Sequence, residues 1–292
     1  MDYDILLRLA YEYAAPAAGG QHLARVLPAD LPGIQEVVRA SLELDPRPAE
    51  RSEFRDFFGN RVVRAGYRGA HAGLEAVMRA RVRVARTPPG LDLSPPLPAL
   101  AAEIAAVWSL AADAPHHFCG ATPYVPPVHE VTRYAARSAV AGRSVRACVE
   151  DLCRRIHADF AYDGEATEVD TPLAQAFAQR RGVCQDFTHV MIAGLRGLGI
   201  PAGYVSGFLR TVPPPGQPRL EGADATHAWV RAWCGREMGW QEFDPTNAIA
   251  AGDDHIVIAY GRDYGDVSLI NGVLKTSGAQ ESSQSVDVLP LA

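Results

Sequence analysis

The sequence predicts an α+β protein, with an N-terminal antiparallel β-sandwich followed by helices packed on an antiparallel sheet. Two patterns carry this expectation. Apolar side chains alternate with polar ones at 4–13, 61–67 and 72–85, the period of half-buried strands, with a turn signal at Phe57-Phe58-Gly59-Asn60. After a proline-rich stretch the apolar period lengthens to that of helices at 98–112, 128–141 and 144–159. It returns to strand-like alternation beyond residue 199.

Taken in order, residues 4–13 read as a strand. Residues 33–45 carry Ile34, Val37, Val38 and Leu42 to Leu44, a run that strand and helix could share. Residues 72–85 have the alanine and arginine content of a helix. However, Arg79, Arg81 and Arg83 alternate with Ala80, Val82 and Val84, and alternation argues for a strand. Thr87-Pro88-Pro89-Gly90 through Pro98 is rich in breakers and reads as a linker. The expected division is a β-sandwich domain at 1–90, a linker at 91–98 and a second domain at 99–292.

Composition bounds the function. The chain has 292 residues, long enough for two domains, with 48% hydrophobic and 21% charged residues, as in a well-buried globular protein. Its net charge of −6 argues against general binding to nucleic acid or to an anionic membrane. The five cysteines are odd in number and lack metal-type pairing, and Cys148 and Cys153, five apart on a predicted helix, do not share a face. A reducing compartment fits best. The start Met1-Asp2-Tyr3-Asp4-Ile5 has no basic region of a signal peptide, and no segment reaches the length of a membrane span. A cytoplasmic protein is expected; the sequence does not define an oligomeric state.

In the second domain, residues 115–127 form a loop holding His116, His117 and Cys119. With no second cluster of such residues nearby, a plain loop is the expectation and no metal site. Residues 160–171 connect to a short helix at 172–180. The segment Arg181-Gly182-Val183-Cys184-Gln185-Asp186-Phe187-Thr188-His189 follows. Gly182 breaks the preceding pattern. Phe187, Val190, Met191, Ala193 and Leu195 then recur at helical spacing, which places Cys184 at a helix N-terminus. There the unpaired backbone N–H groups favour thiolate over thiol. A lone cysteine is more often structural, so two later segments matter. Asp224 to Trp233 reads as a strand with His227 near its start. Gly239 to Asn247 reads as a short strand ended by Pro245, with Asp244 at its end. Joined as a hairpin through Cys234-Gly235-Arg236-Glu237, they bring His227 beside Asp244, facing the helix end. A nucleophile, an imidazole to hold its proton and an acceptor to fix the imidazole are the parts of a thiol acyl-transfer site.

GVCQDF, THAWV and GWQEFDPTN, in this order, resemble the transglutaminase-like superfamily of papain-type thiol enzymes. They are most similar to its bacterial branch, which carries an N-terminal β-rich domain with a turn like Phe58-Gly59-Asn60. The resemblance implies a transglutaminase/papain-like core, with Cys184 as nucleophile, His227 as general base and acid, and Asp244 as the orienting carboxylate. It also implies a peptide, protein or amide substrate, with hydrolysis favoured over crosslinking. The alternatives are acyl transfer from glutamine side chains and a non-catalytic interaction module that keeps the fold. No metal or organic cofactor is required.

Other residues near the motifs have weaker assignments. The backbone N–H groups of Cys184, Gln185 and Asp186 are candidates to hold an oxyanion, with Asp186 itself expected to stabilise the first helical turn. Tyr162 is a loose match to an aromatic oxyanion donor used by some superfamily members; packing is the alternative. Trp229, on the same strand face as His227, either shields the site or belongs to the core, and core is favoured. His189, five residues after Cys184, should point elsewhere on the helix. Asp253-Asp254-His255 and Gly261-Arg262-Asp263-Tyr264 resemble DHI and GRDY patterns of the bacterial branch. A structural ion pair involving Arg262 and Asp263 is expected there, and a calcium site is not. The proline-rich loop at 211–222 is an even choice between a rim of the site and a plain hairpin loop.

Overall fold

The computed structural model describes residues 1–88, 90–211 and 224–291; most of the proline-rich 211–222 loop lies outside them. The chain opens with strands β1 (Asp2–Ala17), β2 (Gly20–Ala24), β3 (Gln35–Asp45), β4 (Glu50–Arg55), β5 (Arg61–Tyr67) and β6 (His71–Val84). Next come α1 (Leu97–Ala105), a 3-10 turn at Pro115–Phe118, α2 (His129–Ala136), α3 (Val145–Asp159), β7 (Ala161–Tyr162), α4 (Leu173–Gln179), β8 (Arg181–Gly182) and α5 (Cys184–Gly197). The remainder is β9 (Ala202–Leu209), β10 (Ala225–Trp233), β11 (Trp240–Asp244), β12 (Ile249–Ala250), β13 (His255–Gly261), α6 (Tyr264–Val267), β14 (Ile270–Leu274) and β15 (Gln280–Leu291). This is the expected α+β class.

Two four-stranded sheets, ordered β15-β1-β6-β3 and β14-β2-β5-β4, face each other. Tyr13 and Leu74 of the first share a buried cluster with Ala65 and Tyr67 of the second. In β6, Leu74, Ala76, Met78, Ala80, Val82 and Val84 point inward and the arginines outward, so strand periodicity prevails over alanine content. The outward arginines are paired across strands, Arg81 with Asp4 at 2.6 Å and Arg83 with Asp2 at 3.0 Å.

The sandwich is completed from the other end of the chain. β14 pairs with β2, and β15 pairs with β1 along Asp2 to Tyr13. The sequence reading placed residues 99–292 together in the second domain, but these last two strands belong to the N-terminal sheets. Val286 and Val288 sit opposite Leu7 and Ile5, and all four are buried. The strand foreseen at 286–291 is therefore longer. Its polar half is exposed from Gln280 to Gln284 and held by ladder hydrogen bonds to β1 rather than by burial.

The second sheet system, ordered β12-β11-β10-β9-β13, is antiparallel throughout. α5 lies on it, buried from Asp186 to Leu195, with α2, α3 and α4 packed around it. Two helices are shorter than their apolar patterns suggest. α1 ends at Ala105: Val107 packs on the core while Trp108 and Leu110 are exposed, so the apolar residues at 107–110 do not form one buried stripe. α2 ends at Ala136, where Ser138 and Ala139 close tight turns onto Ala135 and Ala136.

β13 is an edge strand of this sheet, and the sandwich covers its open edge with side-chain amides. Gln35 Nε2 donates to Val257 O at 2.8 Å, and Val257 N donates to Gln35 Oε1 at 2.9 Å. Asn60, the last residue of the turn signal, does the same for Tyr260, at 2.7 and 2.8 Å. Each amide supplies the donor and acceptor that a neighbouring strand would supply.

Candidate active site

Gly182 pairs with Tyr162 in the short parallel β7–β8 bridge. A Cβ at Gly182 would collide with the Asp186 carboxylate. That carboxylate accepts from Val183 N–H at 2.8 Å and from Thr167 Oγ1 at 2.6 Å, which fastens the first turn of α5. Asp186 is thus the helix stabiliser the sequence suggests. The result is a partly buried Cys184 as the first residue of α5. The N–H groups of Cys184 and Gln185, in the first turn, have no intrahelical acceptor. The N–H of Asp186 bonds Val183 O at 3.0 Å, so it drops out of the expected oxyanion set.

β10 and β11 form the hairpin, in register from Val230–Phe243 to Trp233–Trp240. His227 Nε2 lies 2.8 Å from Asp244 Oδ2, and Cys184 lies beside the same imidazole. Cys184, His227 and Asp244 therefore converge in the order the sequence suggests. Burial would push the His227 imidazolium down. Hydrogen bonds to Asp244 and Cys184, with their negative charges, outweigh it and raise the group to about 10.

Asp244 is completely buried. Burial works against its charge, but hydrogen bonds from His227 and His255, the His227 charge and a bond from Asn247 hold the carboxyl well below the usual range. Its Oδ1 accepts from the N–H groups of Thr246 and Asn247 at 2.9 and 3.2 Å. Its Oδ2 accepts from Asn247 Nδ2 at 2.7 Å, in addition to the two imidazoles. Pro245 ends the strand, so the backbone turns here and can supply those donors. Cys153 Sγ, from α3, donates to Asp244 O at 3.3 Å, and burial pushes this thiol up to about 12.

The other sequence candidates divide. Trp229 is fully buried; its ring stacks beside His227 with centroids 6.0 Å apart, and Nε1 donates to Glu242 at 2.8 Å. Gly207, opposite His227 in β9, makes room for it, since a Cβ there would overlap the Trp229 ring. Tyr162 is largely exposed; partial desolvation and the nearby Cys184 charge raise its phenol. The Gln185 side chain turns away to donate to Val169 O at 2.9 Å. His189 is buried under Tyr124, accepts from Tyr264 N–H at 3.2 Å and is pushed down to about 3 by burial. Arg262 pairs with Asp266 at 2.8 Å rather than with Asp263, which caps α6 through Gly265 N–H. Arg262 N–H also bonds the Asp266 carboxylate, at 2.9 Å, so backbone and side chain hold the same oxygen.

His255 carries no role in the sequence reading beyond its DHI motif. It is buried, and its Nε2 lies 3.1 Å from the same Asp244 oxygen that His227 contacts. His227, Asp244 and His255 are the one group among the described residues whose donor atoms converge within 4.8 Å as a cation site requires. Both Nε2 atoms are hydrogen-bonded to Asp244 Oδ2, and those hydrogen bonds account for the convergence.

Comparison with known proteins places the chain in a family. A family model described as the bacterial transglutaminase-like N-terminal region matches residues 3–83, and one for the transglutaminase-like superfamily matches residues 132–245. An uncharacterized protein of Mycobacterium tuberculosis is 38% identical over 266 residues, covering 88% of this chain and 82% of the relative. An uncharacterized protein of Mycobacterium leprae is 34% identical over 174 residues, covering 59% of this chain and 60% of that protein. Among solved structures, "a Putative Cysteine Protease from Cytophaga hutchinsonii" superposes with a TM-score of 0.75 at 22% identity. It covers all of this chain and 91% of its own, a likeness of fold. These matches support thiol-dependent chemistry at the level of the family. The chain belongs to the transglutaminase-like superfamily, in the bacterial branch with a transglutaminase-like N-terminal region.

Proposed function

We propose that this protein is a thiol enzyme acting on amide bonds of peptides or proteins, with Cys184, His227 and Asp244 as its reacting set, and that it hydrolyses them. The observation that carries this reading is the His227 ring, hydrogen-bonded to Asp244 at 2.8 Å, with Cys184 at the start of α5 beside it. In this reading Cys184 gives its proton to His227 and attacks as the thiolate. Cys184 Sγ bonds to the carbonyl carbon, and the C–N bond breaks as His227 delivers its proton to the leaving amine. Water then adds to the thioester, giving a proton back to His227, and the C–S bond breaks to release the acid. In this reading the Cys184 N–H, which has no intrahelical acceptor, and the Tyr162 hydroxyl hold the oxyanion. A cytoplasmic site of action is part of the proposal, supported by five free cysteines.

Hydrolysis is separated from acyl transfer by product mass. Glutamine-containing peptides incubated with a primary amine should yield the free acid; a predominant amine adduct would assign acyl transfer instead.

The pH profile tests the pair. His227 must be protonated to serve the leaving amine, so kcat/KM should fall as pH rises through its titration near 10. Asp244→Asn removes a negative charge that stabilises the imidazolium, so that limb should move to lower pH. Turnover should fall about 10²- to 10⁴-fold. An unchanged profile in Asp244→Asn would assign the orienting role to another residue.

A further inference from the structure

Two buried imidazoles converge on one carboxylate oxygen, and the mechanism above uses only one of them. His255 Nδ1 accepts a hydrogen bond from Gly252 N–H at 3.2 Å, so Nδ1 is unprotonated and the ring proton sits on Nε2. That proton faces Asp244 Oδ2 at 3.1 Å. His255 is therefore a neutral donor with its tautomer set by the backbone. The Trp229 ring meets the His255 ring edge-on, with centroids 5.1 Å apart, and stacks beside His227. The strand that carries His255 is gripped by β9 on one edge and by the Gln35 and Asn60 amides of the sandwich on the other.

We infer that His255 is a positioning residue of the site: as a fixed neutral donor it holds Asp244 Oδ2 and limits how strongly that oxygen draws on His227. The Gln35 and Asn60 amides of the N-terminal sandwich hold the His255 strand in place. The inference rests on the proposed roles of Cys184, His227 and Asp244. Its chemistry has a definite sign. A carboxylate that loses a donor becomes more basic, and its charge then stabilises the neighbouring imidazolium more strongly. Removing His255 should thus act on His227 in the direction opposite to Asp244→Asn. The titratable groups around the cluster are Cys184 from α5, Cys153 from α3, Tyr162 from β7, Tyr204 from β9 and Glu242 from β11 behind Trp229. None of them changes in the variants below.

The test follows the His227 titration by NMR of histidine-labelled protein, alongside turnover. His255→Leu should move the titration up by about one unit, the size of one hydrogen bond to a charged group, with kcat lowered more than KM is raised. His255→Gln, whose Nε2 can reach the same oxygen, should restore both. An unmoved titration in His255→Leu, or no rescue by Gln, would reduce His255 to packing and overturn the inference. In the unmutated protein the His255 resonances should show Nε2 protonated and Nδ1 bare; the other tautomer, or a doubly protonated ring, also overturns it, even if the Leu variant fails to fold. If His227 does not respond to Asp244→Asn, the reading of the site fails and takes this inference with it. If His227 responds to Asp244→Asn but not to His255→Leu, only the inference fails.

Discussion

Cys184→Ala is expected to reduce turnover by about 10⁵-fold or more, to background, while leaving the fold intact. The sulfur sits partly buried at the first position of α5, whose start is held instead by the Asp186 carboxylate on Val183 N–H. Removing the thiol takes away the nucleophile and no element of that cap. Cys184 is only partly buried where it packs against the core, so the lost contact is small and the thermal midpoint should stay within a few degrees of wild type. Cys184→Ser should be nearly as inactive, because a hydroxyl is a much weaker nucleophile at its ordinary pKa. Turnover of the alanine variant above trace level, in a preparation free of other hydrolases, would remove Cys184 from its role.

A chain that begins at residue 95 is expected to give no folded soluble protein, although it keeps Cys184, His227, Asp244 and His255. The truncation leaves β14 and β15 without their partners β2 and β1, and strips the Gln35 and Asn60 amides from the edge of β13. It also cuts the core. Tyr3, Ile5, Leu7 and Leu9 belong to one continuous cluster with Leu152, Phe187, Trp233 and Val288. At about 1.5–3 kcal/mol for each buried apolar side chain, losing these four alone approaches the whole stability of a typical domain, about 5–15 kcal/mol. Soluble yield and near-ultraviolet circular dichroism measure the outcome. A soluble truncated chain that unfolds cooperatively would mean that the second domain is independent after all.

The site was legible where its chemistry lies within short motifs. GVCQDF places Cys184 because Gly182 and Asp186 define a helix start locally, and the HAW and DPT segments form a hairpin whose register follows from alternation and one turn. His255 was not legible in the same way. Its strand lies beyond β9, with two strands between it and β11, so nothing in local spacing brings it to Asp244. The contact depends on the order of the sheet and on the chain turning back through Gly252. The same limit explains the C-terminal strands. Alternation at 286–291 marked a strand, but its partner is β1 at the far end of the chain, and pairing of that range leaves no local trace. Gln35 and Asn60 lie within or beside strand and turn patterns that account for them locally, so their service to another sheet appears only once the two halves are packed.

The most direct test of the central claim is the rate of iodoacetamide alkylation at each cysteine of the native protein, followed by mass spectrometry across pH. The other four thiols provide the contrast: burial pushes Cys119, Cys148, Cys153 and Cys234 all upward. With Cys184 paired to His227 as proposed, Cys184 should be modified first. It should react rapidly well below pH 8.5, about where an ordinary thiol ionises. Alkylation of Cys184 that rises only with a midpoint near that ordinary value, or no faster than at Cys119, would contradict the thiolate–imidazolium pair.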